Sequence, residues 1–403
     1  MTTPPITDPP GTASRRAALR LMDAVLRRGQ PLESALDVAA RDLDRADDRG
    51  FAHAIVSEAL RRLPDLDALI DRATKNRLPD DAKARFALRI ALVQALALDT
   101  PHHAAISTVL PLVDGGPRRL VHGVFSTVMR EKWTLPEIPT LPAPVAERWR
   151  KSWGDEVVAA AAKAIATPPP IDLTGDPPAD LEGISLMPGH LRLARGAAIA
   201  GLAGYGEGKW WVQDVSASIP ARLLGEGAGR TVLDLCAAPG GKTMQLAAAG
   251  WAVTAVDASE SRLARLSENL ARTGLAAEIV AADLMKWAPA APADAILLDA
   301  PCSATGIYRR HPDVLHRVRP RAIAELAQAQ KAMLARAAAW LKPGGTLVYS
   351  VCSLEPEEGE AVAADFLVRR GDHKLEEQLR ILPGAYADEG GADSFFIARF
   401  VRN

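Results

Sequence analysis

The stretch Thr231-Val-Leu-Asp-Leu-Cys-Ala-Ala-Pro-Gly-Gly-Lys-Thr243 decides the fold. Its first half is a short apolar run of the kind a fully buried strand carries. Its second half is a tight turn containing proline and two glycines, placed where a helix opens. Downstream, apolar runs at 252–256, 277–281, 295–298 and 345–351 read as further strands, separated by helical stretches at 259–273, 319–341 and 355–369. Strands alternating with helices mean βαβ units, and therefore a doubly wound parallel sheet covered on both faces. The α/β domain is expected over residues 221–403.

Upstream the pattern changes. Ala18, Leu19, Met22, Val25 and Leu26 recur at helical spacing, as do Phe51, Ile55 and Leu60, then Phe86, Leu88, Leu92 and Leu96. Strand-like alternation is absent, so residues 13–133 predict an all-α domain of five to seven helices. Pro- and Thr-rich residues 1–12 predict a disordered tail, and 134–144 a stiff, extended Pro-rich linker. Residues 145–220 predict a helix followed by a small α+β element.

Composition narrows the class. The chain has 403 residues, 48% hydrophobic and 24% charged, which is globular composition and room for two or three domains. Lys and Arg number 48 against 49 Asp and Glu, so a strongly basic nucleic-acid coat is excluded. Locally, residues 11–135 hold 20 basic and 16 acidic side chains, a small excess compatible with RNA contact. The three cysteines, Cys236, Cys302 and Cys352, form no CxxC pair, so neither a disulfide framework nor a zinc site is expected. No run of about 18 apolar residues occurs, and the first residues lack a basic leader and an apolar segment. A soluble, cytoplasmic protein is expected.

The loop Cys236-Ala237-Ala238-Pro239-Gly240-Gly241-Lys242 would set bare backbone N–H groups against a ligand at a helix start. Asp257 ends the second strand, where an acidic residue takes ribose hydroxyls. Asp283 follows the third strand and Asp299 the fourth, so all reach the edge where open α/β sheets bind ligands. The glycine spacing fits neither the dinucleotide fingerprint nor the P-loop. A phosphate-poor nucleoside, S-adenosylmethionine, fits better.

Cys302 lies in Asp299-Ala-Pro-Cys-Ser-Ala-Thr-Gly306 and Cys352 in Tyr349-Ser-Val-Cys-Ser353, each just beyond a strand. The chemistry that wants a thiol there is methylation of carbon 5 of a pyrimidine. That carbon is a poor nucleophile until carbon 6 is attacked, and a thiolate is the apt attacker. Asp299 can bond the amidine edge of cytosine and stabilise a protonated ring nitrogen. A second thiol can assist elimination. Chemistry alone does not say which cysteine attacks.

These motifs resemble the RsmB/Sun-type RNA (cytosine-5) methyltransferases. Asp234–Thr243 resembles their cofactor motif, Asp299–Gly306 with Arg309-Arg-His-Pro-Asp313 their fourth, and Tyr349–Ser353 with Glu355-Pro-Glu-Glu358 their sixth. Trp211–Ser216 resembles the segment before the first. The helical region, with Pro101–Ala105 and Val121–Val124, resembles a NusB-like RNA-binding domain. The resemblance implies a Rossmann-like class I methyltransferase sheet with S-adenosylmethionine held by Cys236–Lys242, Asp257, Asp283 and Asp299. It implies Cys352 as nucleophile, Cys302 in product release, and Lys242 near the reacting base. Where the family has glycine in its terminal motif, this chain has Ser394.

The expected activity is 5-methylcytosine formation in 16S rRNA by a monomer without metal. Alternatives are the same reaction on tRNA or another rRNA site, or a non-catalytic RNA-binding factor. Arg309 and Arg310, beside the Cys302 loop, are candidate RNA phosphate contacts. Trp210 and Trp211 can stack on a base, but packing is the better reading.

Overall fold

The computed structural model describes residues 8–403. Of the expected tail, residues 1–7 lie outside the described residues, while Pro10 and Gly11 form a turn and Thr12 begins a helix. The chain divides into two compact units. One comprises residues up to Lys151, Ala161–Thr167 and Arg310–Arg317; the other comprises Ser152–Ala160, Pro168–Arg309 and Val318–Asn403.

The first unit is helical: α1 (Thr12–Leu26), α2 (Leu32–Ala39), α3 (Ala46–Arg61), α4 (Leu63–Ala73), α5 (Lys83–Ala97), α6 (His102–Val109) and α7 (Gly115–Arg130). The spacing of Ala18, Leu21, Met22 and Val25 gives α1 one apolar face, and all four are buried. Helix α5 is buried on every side from Ala84 to Gln94, as a helix apolar all round must be. Its two buried arginines are matched: Arg85 Nη1 lies 2.7 Å from Asp71, and Arg89 Nε 2.8 Å from Asp67, both on α4. An unpaired charge there would be strongly destabilising. The Pro-rich linker has no regular structure over 134–142, yet it is strapped down. Thr140 N–H donates to Asp65 at 3.0 Å and Leu141 is buried.

Helices α8 (Ala143–Trp153) and α9 (Asp155–Ile165) straddle the division between the units. The second unit begins with a small antiparallel sheet of β1 (Ile171–Gly175), β2 (His190–Leu193) and β3 (Trp210–Val212), ordered β2-β1-β3. Buried Asp172 holds it together, accepting from Arg192 Nε at 2.7 Å and from the Val215 N–H at 2.9 Å. Val215 opens α10 (Val215–Arg222), so one carboxylate ties this sheet to the helix after it.

The main sheet comprises β4 (Thr231–Leu235), β5 (Ala252–Asp257), β6 (Glu278–Ala281), β7 (Ala293–Asp299), β8 (Leu341–Val351), β9 (His373–Ile381) and β10 (Phe395–Arg402). Its order is β6-β5-β4-β7-β8-β10-β9. Strands β4 to β8 are parallel, with α11 (Gly241–Ala248), α12 (Glu260–Thr273), α14 (Pro320–Ala338) and α15 (Glu360–Arg369) among them; α13 (Val314–Arg317) belongs to the first unit. The run Ala295-Ile-Leu-Leu298 is fully buried, the signature of a strand covered on both faces. The parallel sheet expected from the sequence is present as β4 to β8, and β9 and β10 extend it by an antiparallel pair beyond β8. The chain runs from β4 outward through β5 and β6, then returns to β7 on the other side of β4. That reversal makes the carboxyl ends of β4 and β7 the switch point at which such sheets bind ligands. Among the described residues, no helix is long and apolar enough to cross a membrane.

Candidate active site

The β4–α11 loop leaves the strand with Cys236 in the left-handed region at φ 63°. The Cys236 and Ala237 N–H groups both donate to the Val256 carbonyl, at 2.8 and 3.1 Å. Gly240 has φ 104°, and a Cβ there would lie 2.9 Å from Leu266 Cγ on α12, so both conformation and packing demand glycine. The loop is pinned further by Ala238 N–H to Asp257 Oδ2 at 3.1 Å, by Arg262 on the Ala238 carbonyl, and by Asn269 on the Pro239 carbonyl. Thr243 Oγ1 donates to Asp234 Oδ2 at 2.6 Å. Asp234 is fully buried, and burial pushes its carboxyl up to about 7. Burial likewise pushes the Cys236 thiol up to about 12, which makes it an inert lining group.

The other strand-end acids reach the same edge. Asp257 accepts from Ser259 N–H as well as Ala238 N–H and lies 3.3 Å from Arg262, so it braces the loop. Asp283 is half-exposed and accepts from the Met285 N–H at 2.9 Å. This set suits a nucleoside carrying hydroxyls and a cationic centre. Asp234 Oδ1 is a buried acceptor with no hydrogen-bond partner, and the nearby cations Lys242 and Arg262 each already face an aspartate. A pyrophosphate would want those cations free.

At the end of β7, Asp299 Oδ2 lies 2.7 Å from Lys242 Nζ, and Ser350 Oγ on β8 donates to Oδ1 at 2.7 Å. Burial works against the Lys242 ammonium, but the Asp299 charge outweighs it and holds the amine above its ordinary value, with the Cys352 sulfur contributing. Phe395 of β10 lies under the same ammonium, 5.6 Å from ring centre to Nζ. Beyond the ends of β7 and β8, Cys302 Sγ and Cys352 Sγ are 3.5 Å apart. Contact with Cys352, then burial, then nearby Glu358 keep the Cys302 thiol well above its usual value. The three β-strand ends therefore bring Cys236, Lys242, Asp299, Cys302 and Cys352 to one edge of one unit.

One placement differs from expectation. Arg309 is 3% exposed, its Nη2 donating to the Gly390 carbonyl at 2.5 Å. It braces the loop from within, and a guanidinium so enclosed presents nothing to an RNA phosphate. Arg310 begins the segment that folds into the helical unit. There Asp313 accepts from Arg317 Nε at 2.8 Å, and neutral His316, pushed down to about 4 by burial, donates Nε2–H to the Leu60 carbonyl at 2.7 Å. Trp210 and Trp211 are both buried and pack as core.

Sequence reasoning assigned no role to Ser350, Ser303, Ser353, Glu358 or Gly306. A clue was visible, since Cys302 and Cys352 are each followed by serine. Gly306 N–H donates to the Cys352 carbonyl, and Ser394 N–H to the Gly306 carbonyl, both at 3.0 Å. A Cβ on Gly306 would sit 2.2 Å from Ser394 O and 2.9 Å from Cys352 O. Gly306→Ala is therefore expected to destabilise the protein by about 2–4 kcal/mol, through backbone atoms that cannot yield. Calorimetric melting checks it; an unchanged Tm would contradict the tight approach. Ser394 itself is not in the left-handed region, so its turn needs no glycine.

Residues 221–401 match the family described as 16S rRNA methyltransferase RsmB/F, and residues 12–129 match the NusB family. The chain is 34% identical to the Ribosomal RNA small subunit methyltransferase B of Xylella fastidiosa, covering 98% of this chain and 99% of that protein. Against the protein of the same name from Klebsiella pneumoniae it is 32% identical, covering 96% and 98%. The solved structure of PH0851 superposes with TM-score 0.75 at 23% identity, covering 98% of this chain and 99% of that one, a likeness of fold.

Proposed function

The chain belongs to the 16S rRNA methyltransferase RsmB/F family, and we propose that it methylates carbon 5 of a cytosine in small-subunit rRNA through a transient bond from Cys352 to carbon 6. The observation that carries this reading is the thiol pair, 3.5 Å apart at the ends of adjacent parallel strands, beside the Lys242–Asp299 pair. One thiol at a ligand edge is commonplace; two in contact serve a reaction that both forms and breaks a bond to sulfur.

S-adenosylmethionine supplies an electrophilic methyl group; the loop Cys236–Lys242 with Asp257, Asp283 and Asp299 would hold it. The target base must leave its stack to present carbon 6. Asp299, oriented by Ser350 and Lys242, accepts from the cytosine amino group and favours protonation of the ring nitrogen. That draws electrons from the ring and opens carbon 6 to the Cys352 thiolate. With the sulfur bonded, carbon 5 becomes an enamine carbon and takes the methyl group. The carbon 5 proton then passes to solvent, the ring double bond re-forms as the carbon–sulfur bond breaks, and the Cys302 thiol gives its proton to the departing Cys352 sulfur; the ring nitrogen then releases its proton, and Cys302 is reprotonated from solvent.

Purified protein, methyl-labelled S-adenosylmethionine and unmodified small-subunit rRNA test the reading. Label is expected at one cytosine, which becomes resistant to bisulfite. Label on another base, or on tRNA alone, would overturn it.

A further inference from the structure

Glu358 lies in the turn between β8 and α15 and is fully buried. Its burial is tolerated because donors converge on both oxygens. Oε1 accepts from the Ser303 N–H at 2.8 Å and from Gln330 Nε2 at 3.0 Å. Oε2 accepts from Ser353 Oγ at 2.5 Å and from Ser303 Oγ. Ser303 directly follows Cys302, and Ser353 directly follows Cys352. Gln330 also donates to the Pro301 carbonyl at 2.8 Å, so Cys302 is held from both sides. Tyr349, three residues before Cys352, donates its hydroxyl to the Glu358 carbonyl at 2.5 Å. The hydroxyls of Ser303 and Ser353 are themselves 3.1 Å apart.

We propose that Glu358 is a positioning residue that sets the spacing of the two thiols, because its single carboxylate ties the Cys302 loop and the Cys352 loop to one rigid point. An apolar side chain could fill the same space. Only a side chain with two polar atoms at its end fastens both loops at once. The kinetic consequence rests on the methyl-transfer reading; the geometric claim does not. Glutamine keeps the shape, with its oxygen toward the amide donors and its amino group toward hydroxyls that can turn to accept. Alanine leaves the Ser303 N–H buried without its acceptor and the two hydroxyls with only each other and Thr305.

Two measurements on the full chain test this. In methyl transfer to small-subunit rRNA, Glu358→Ala is expected to lower kcat about 100-fold with KM for S-adenosylmethionine within about twofold, and Glu358→Gln to recover most of the loss. In a Cys236→Ala background, phenylarsine oxide reports the thiol pair directly, since it condenses with two nearby thiols and releases one water. Its affinity is expected to fall about tenfold in Glu358→Ala as the effective concentration of the second thiol drops. Unchanged arsenical affinity overturns the proposal, whatever happens to kcat. Should Glu358→Ala not fold, Glu358→Gln with Ser353→Ala carries the same arsenical readout, and unchanged affinity there overturns the proposal equally. Weakened arsenical capture in a protein whose parent methylates no RNA would leave the positioning role standing and remove the functional reading instead.

Discussion

Cys352→Ser is expected to abolish methyl transfer, by about 10⁴-fold or more, while Cys302→Ala is expected to leave the protein covalently joined to its RNA. The two outcomes differ because the thiols act on opposite sides of one intermediate. A serine hydroxyl at 352 is a far weaker attacker than a thiolate, so the bond to carbon 6 never forms. Without Cys302 that bond still forms, carbon 5 is still methylated, and the departing sulfur lacks its proton donor. The product then accumulates as a band of reduced mobility on a denaturing gel. The thiol contact of 3.5 Å is symmetric and does not by itself choose the attacker. Contact with Cys352, burial and the neighbouring Glu358 charge press Cys302 to keep its proton. A retained proton suits an acid at product release. A slow-migrating adduct in the Cys352 variant, and none in the Cys302 variant, would exchange the two roles.

How much was legible in the sequence depends on how local each signal is. The run 231–243 contains strand, turn and helix start within thirteen consecutive residues, and the structure places all three there. Strands β7 and β8 came from continuous apolar runs, which burial on both faces demands. Strand β9 is hard to read from sequence because the polar run Glu376-Glu377-Gln378 interrupts any apolar alternation, the weaker pattern of a strand at a sheet edge. Asp313 escaped for another reason. It receives the Leu32 N–H across 281 positions of sequence, and no local pattern reports such a contact. Arg309 reads as a phosphate contact because it stands beside the Cys302 loop, yet a guanidinium can be enclosed when carbonyls receive it. Glu358 sat in a quoted acidic motif with no role, since a carboxylate in a loop usually faces water. Only its four donors show otherwise.

Asp299→Asn is expected to reduce kcat/KM about 10³-fold, and a double variant separates its catalytic part from its structural one. Two effects are mixed in the single change. The carboxylate that bonds the cytosine edge is gone, and the Lys242 ammonium, 12% exposed, loses the partner 2.7 Å away. Orphaning an enclosed cation destabilises by about 3–5 kcal/mol, so a melting shift accompanies the kinetic loss. Lys242→Met removes that cation with little change in volume. In Asp299→Asn/Lys242→Met no charge is left without a partner, and the methionine can pack against Phe395, which already lies beneath the amine. Stability is therefore expected to recover most of the way, a strongly non-additive cycle for two residues in contact. Activity is expected to stay low, because an asparagine cannot favour the protonated ring nitrogen whatever stands beside it. If kcat/KM rose with Tm in the double variant, Asp299 would be acting only as the counter-ion of Lys242, and the chemistry assigned to its carboxylate would have to pass to another group at the same edge.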